Sequence, residues 1–208
     1  MLNRVLLVSG MLILAVCFAS PLHADTIYSL GTNTGLGCSP TCGTVDLAQD
    51  GAGVVLVTVT LNSPGVFVET GTHQDFDFNL SGTATIGGLS AGFTADSGNS
   101  GTFTQPGLGI FTYSIDCNIG VSRACGSGGS ISHTSTFNFT VSQAGLTPAS
   151  FTANGDGNVF SADILNGSTA AVGTTTTTSV PEPGTVALLG VGLLGLLGLG
   201  FRRKRILA

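Results

Sequence analysis

Four stretches of this chain carry an apolar residue at every second position, a period that suits strands and not helices. Val55, Val57, Val59 and Leu61 alternate with Leu56, Thr58 and Thr60. Phe76, Phe78 and Leu80 alternate with Asp75, Asp77 and Asn79. Phe111, Tyr113 and Ile115 alternate with Thr112 and Ser114, and Phe137, Phe139 and Val141 with Thr136, Asn138 and Thr140. Successive side chains of a strand point to opposite faces, so each stretch has one apolar face to bury. Turn-forming runs separate them, such as Ser97-Gly98-Asn99-Ser100-Gly101 and Gly126-Ser127-Gly128-Gly129-Ser130. No helical periodicity appears between the two ends. The pattern predicts an all-β domain over 25–173, an antiparallel β-sandwich. The phenylalanines sit on the regular inward positions and the chain has no tryptophan. They are therefore expected in the core and not on an exposed carbohydrate platform.

Charge narrows the partners. Residues 25–180 hold ten acidic side chains against Arg123 alone, a formal charge of −9. The other basic residues sit near the ends, which is why the whole chain reaches only −5. Nucleic-acid binding requires clustered Lys and Arg and is excluded. An acidic surface of this kind stays soluble and attracts divalent cations.

Cys38, Cys42, Cys117 and Cys125 lie in the same segment. Four cysteines allow three pairings. Two local disulfides, Cys38–Cys42 and Cys117–Cys125, are expected as loop clips with modest entropy gain. Zinc is the alternative; the first spacing suits it and the second does not. Thr174 to Thr178 is a run of five threonines followed by Ser179. It reads as an extended, polar, coreless linker over 174–180.

Candidate chemistry is sparse. His73 and His133 accompany no nucleophile elbow, and a lone histidine among strands is ordinarily packed or solvated. Asp75 and Asp77 project from one sheet face; paired carboxylates serve acid–base work, but a solvent face is the ordinary reading. Residues 152–163 can be set on a twelve-residue calcium loop. Asn154, Asp156 and Asn158 then fall at odd positions, Gly157 at the sharp turn and Asp163 at the end, with Thr152 where an acid belongs. A Gly-rich hairpin turn is the competing and preferred reading. No catalytic residue, metal ligand or cofactor is assigned, and the chain is expected not to be an enzyme.

The two ends carry the targeting information. Residues 1–24 have one early cation, Arg4, an apolar run from Val5 to Ala19 and a break at Pro21, the plan of a secretory signal peptide ending at Ala24. Residues 181–208 begin Pro181-Glu182-Pro183 and continue as an uncharged run, Thr185 to Phe201. As a helix over 185–201 that run is about 25 Å long, just enough to cross a hydrocarbon core. Arg202, Arg203, Lys204 and Arg205 follow at once. Cations beside a span stay cytoplasmic, which places everything before it on the other side. The two prolines hold Val180 and Glu182 extended, a shape suited to a protease or transpeptidase cleft.

This tail resembles the PEP-CTERM sorting signal of Gram-negative bacteria. The resemblance rests on Pro181, Glu182 and Pro183, the Gly- and Leu-rich span, and the basic stop Arg202 to Arg205. It implies processing by exosortase, a membrane-embedded cysteine enzyme, and delivery to a surface or exopolysaccharide matrix. The chain would be anchored in the inner membrane facing the periplasm until processed, with exopolysaccharide as a further partner. The expected role is structural or adhesive. The alternative is a calcium-dependent glycan-binding module of the same matrix.

Overall fold

A computed structural model describes residues 25–32, 36, 38, 40–70, 74–96, 101–117, 125, 134–179 and the single position 192. The expected signal peptide 1–24, the sorting motif Pro181 to Pro183, the span 185–201 (192 apart) and the basic stop Arg202 to Arg205 lie outside the described residues. Among the described residues no helix is long and apolar enough to cross a membrane.

Among the described residues thirteen strands follow in chain order. They are β1 (Thr26–Thr32), β2 (Gly43–Gln49), β3 (Val54–Leu61), β4 (Val66–Phe67), β5 (Phe76–Phe78), β6 (Thr85–Gly87) and β7 (Thr94–Ala95). Then come β8 (Phe103–Gln105), β9 (Gly109–Phe111), β10 (Tyr113–Asp116), β11 (Thr136–Ser142), β12 (Phe160–Asn166) and β13 (Ser168–Ser179). Every named pairing is antiparallel, as the alternation predicts. The order is β6-β11-β3-β2-β1-β13-β12-β5-β10-β7, with β4 added to β12 and β8–β9 a separate hairpin.

One continuous ladder thus takes the place of the two separate sheets of the expected sandwich, curled nearly into a barrel. The reason lies in β13. Its first half pairs with β12, from Asn166↔Ser168 to Ser161↔Gly173. Its second half pairs with β1, from Thr32↔Gly173 to Thr26↔Ser179, with register shifts near Leu30. A strand that changes partner across a bend turns the corner between two sheet halves. The threonine run is that second half. The linker expected over 174–180 is therefore corrected: residues 174–179 are strand. Threonine is β-branched and favours extended pairing, so a run of it beside a partner edge completes a sheet. Thr174 is buried at the corner, where its Oγ1 accepts from Val159 N (2.8 Å) and Phe160 N (3.0 Å).

The core forms because the alternating rows come into register. Val45, Val59 and Phe137 share one rung of β2-β3-β11, and Leu47, Val57 and Phe139 the next. All six are buried. The curl brings β5 over this wall. Phe76 meets Phe137 edge-on at 5.5 Å and Phe139 at 6.0 Å, and Phe78 meets Phe139 at 5.6 Å. Tyr113, fully buried, donates its hydroxyl to Gly82 O (2.7 Å) and accepts from Ala84 N (2.8 Å), satisfying its polar tip.

Both expected disulfides are present, Cys38–Cys42 with Cα atoms 4.9 Å apart and Cys117–Cys125 with 5.3 Å. Thiol titration of the denatured, signal-processed protein should therefore find no free thiol. Four free thiols would contradict this pairing and return the cysteines to metal binding.

Candidate functional site

The least expected feature is the second face of β5. The ordinary reading put Asp75 and Asp77 on a solvent face; both are instead fully buried. β5 lies inside the sheet, between β12 and β10, and its outer face is covered as well. Gln105 of the β8–β9 hairpin donates to Gln74 O at 2.8 Å, and Thr70 holds Asp163. Leu108 and Phe111 of the same hairpin are buried without joining the main core.

Register assembles the acidic side chains. Asp77 sits opposite Ser114 on β10 and Ser161 on β12. Ser161 Oγ donates to Asp77 Oδ2 at 3.2 Å. One rung on, Asp75 N donates to Ile115 O (3.1 Å), and Asp75 O accepts from Asp163 N (2.8 Å). Asp75 thus stands between Asp163 and Asp116. Asp163 Oδ2 accepts from Thr70 N at 2.7 Å and from Thr70 Oγ1. Both Asp75 carboxylate oxygens are buried without a hydrogen bond. The described residues contain no lysine, arginine or histidine.

Burial pushes the Asp75 carboxyl well above the usual range, and the charges of Asp163, Asp77, Glu69 and Asp116 push it further. Burial, then Asp96, Glu69 and Asp77, raises Asp116 to about 7. The sign of the linkage follows. The folded chain binds these protons more tightly than the unfolded chain, whose aspartates titrate near 3.9. Stability is therefore full below about pH 4 and falls as pH rises to about 7. For Asp116 the loss should be roughly 2–4 kcal/mol. Urea unfolding in the presence of EDTA should give a lower midpoint at pH 8 than at pH 5. Asp116→Asn should flatten part of that slope, and a slope of opposite sign would contradict the buried acidic face.

The segment 152–163 is a turn leading into a strand. Asn154 Oδ1 accepts from Asp156 N and Asn158 N, both at 3.0 Å, so it caps its own turn. The amides of Asn154 and Asn158 both donate to Leu108 O, at 2.7 and 3.0 Å. Asp163 lies inside β12, on the acidic face. These side chains do not wrap one centre, and the hairpin-turn reading describes the local geometry. Gly109, at φ 100°, faces this turn so closely that a Cβ there would strike Asp156 Oδ2.

One group of three side chains, Glu69, Cys117 and Cys125, brings its ligand atoms within 4.8 Å of one another among the described residues. Its two sulfurs are bonded to each other, so they are not available as thiolates. His73 and His133 lie outside the described residues. Sequence reasoning found Asp75 and Asp77 but missed Asp116, Asp163 and Glu69 as their neighbours, because only strand pairing brings them together.

Comparison with known families gives one finding. Residues 179–205 match the PEP-CTERM protein-sorting motif. The chain therefore carries a PEP-CTERM sorting signal, the mark of an exosortase substrate exported from the cytoplasm. The match takes in Pro181, Glu182, Pro183 and Arg202 to Arg205 and leaves the β domain unassigned. No curated protein and no solved structure matches the chain.

Proposed function

We propose that this chain is an exported surface or matrix protein whose β domain serves a structural or adhesive role in the exopolysaccharide and performs no catalysis. The observation that carries the reading is the sorting motif at 179–205. In this reading the signal peptide is removed after Ala24, and the helix over 185–201 holds the chain in the inner membrane. Exosortase then acts near Pro181 to Pro183. The curled sheet, with sandwich-like layering of β5 on β11, is the delivered cargo. Its buried aromatic set supports a packing role for phenylalanine. Ile110, at 55 % exposure, is the exposed large apolar side chain among the described residues.

A calcium-dependent glycan-binding module is the second reading, and the acidic face favours its calcium half. Co-sedimentation of the processed protein with the host's exopolysaccharide tests the two. Binding unchanged by EDTA supports the structural role, and binding lost with EDTA supports the second. Release of new reducing ends from the polysaccharide would overturn the non-catalytic assignment.

A further inference from the structure

We propose that the buried acidic face of β5, β10 and β12 is a calcium site anchored on Asp75. The inference is independent of the sorting reading. Asp75 is fully buried, and neither carboxylate oxygen has a hydrogen-bond partner. A buried carboxylate in that state is costly unless it is neutralised. Its neighbours make the need greater, since Asp163, Asp77, Glu69 and Asp116 all act on it with the same sign.

The neighbouring unsatisfied atoms are of the right kind. Ser114 Oγ on β10 and Gln105 Oε1 on the covering hairpin are also buried without a hydrogen-bond partner. Ser114 is diagonal to Asp75 on the same face, next to Asp77. Gln105 is tied to Gln74, the residue before Asp75. Carboxylate, amide carbonyl and hydroxyl oxygens are the donors of a hard cation, and no sulfur or imidazole belongs to the set. Calcium suits it better than magnesium, because calcium accepts mixed oxygens in irregular geometry whereas magnesium demands a near-ideal octahedron.

The arrangement also limits how the ion is held. Among the described residues, three carboxylates do not converge within 4.8 Å as Glu69, Cys117 and Cys125 do. The shell is therefore Asp75, one neighbouring carboxylate and neutral oxygens, with Ser114 and Gln105 as the assigned neutral ligands. Asp163 is the neighbour best placed. It adjoins Asp75 across the β5–β12 ladder, and Thr70 fixes its carboxylate. Such a site belongs to the weaker extracellular class, with Kd on the order of 10⁻⁴–10⁻³ M.

The competing state is a neutral, protonated Asp75, and the test separates the two. The full-length chain in detergent is melted at pH 7 with EDTA, with calcium and with magnesium at concentrations well above that range. Calcium should raise the Tm by roughly 5 °C by mass action, and magnesium by less. Asp75→Asn is nearly isosteric with the protonated acid, so it should fold and lose the rise. Asp156→Ala, in the turn at 154–158, should keep it. Should Asp75→Asn not fold, Ser114→Ala leaves every charge in place and should weaken calcium binding in titration calorimetry about tenfold. The absence of any calcium response in the wild type overturns the proposal. So does a response that survives Asp75→Asn, or one that Ser114→Ala leaves unchanged. An infrared band of a buried neutral carboxyl that persists in saturating calcium and disappears in Asp75→Asn also overturns it.

Discussion

Replacing Phe76 with alanine is expected to bring the β domain close to unfolding at room temperature. Phe76 is fully buried at the centre of the curled sheet. Its ring meets those of Phe78 (6.4 Å), Phe137 (5.5 Å), Phe139 (6.0 Å) and Phe160 (5.7 Å). These partners come from β5 itself, from β11 and from β12, so the ring bridges both halves of the sheet. Truncation leaves a cavity that neighbouring strands cannot collapse to fill, at a cost of about 3–5 kcal/mol. A domain of this size has only about 5–15 kcal/mol in total. Phe76→Leu keeps most of the volume and should cost markedly less. Ile110→Ala, at an exposed position, should shift stability by no more than about 0.5 kcal/mol. Urea midpoints at constant slope measure all three. Equal midpoints for Phe76→Ala and Ile110→Ala would contradict the core described here.

That core was legible in the sequence because a period of two is local. Val55 to Leu61 and Phe137 to Val141 announce strands with one apolar face, and the structure buries that face in each. What the pattern could not convey was pairing. β3 meets β11, and β5 lies between β12 and β10, through contacts far apart in sequence. For the same reason Asp75 and Asp77 look solvent-facing when read alone. Nothing local shows that the β8–β9 hairpin covers them, or that Asp116 and Asp163 arrive from neighbouring strands. The threonine run misled for a related reason. Its polarity suggests a linker, while its branched side chains suit a strand, and the free edge of β1 decides between them. Local spacing did serve the cysteines, where Cys38–Cys42 and Cys117–Cys125 close short loops. The sorting signal was legible because it is read as a linear motif, independent of the domain's fold.

Changing that linear motif should have the largest effect on where the protein goes. Glu182 is the charged residue of an otherwise uncharged approach to the 185–201 run, between two prolines that hold it extended. Recognition by shape and by that charge predicts that Glu182→Ala accumulates as full-length, membrane-bound protein, with the secreted form nearly abolished. Replacing Arg202, Arg203, Lys204 and Arg205 with serines should fail differently. Without cytoplasmic cations the stop weakens, and the tail slips outward. The first variant should fractionate with inner membrane and the second should not be retained there. Immunoblots of membrane, periplasmic and extracellular fractions distinguish them. Identical distributions for both variants and the wild type would remove the sorting role from these residues.

The most direct measurement is the C-terminus of the extracellular protein, determined by mass spectrometry of the intact molecule. Exosortase processing predicts a chain that begins after Ala24 and ends near Pro181 to Pro183, without the apolar run or the basic stop. An extracellular chain ending intact at Ala208 would contradict it.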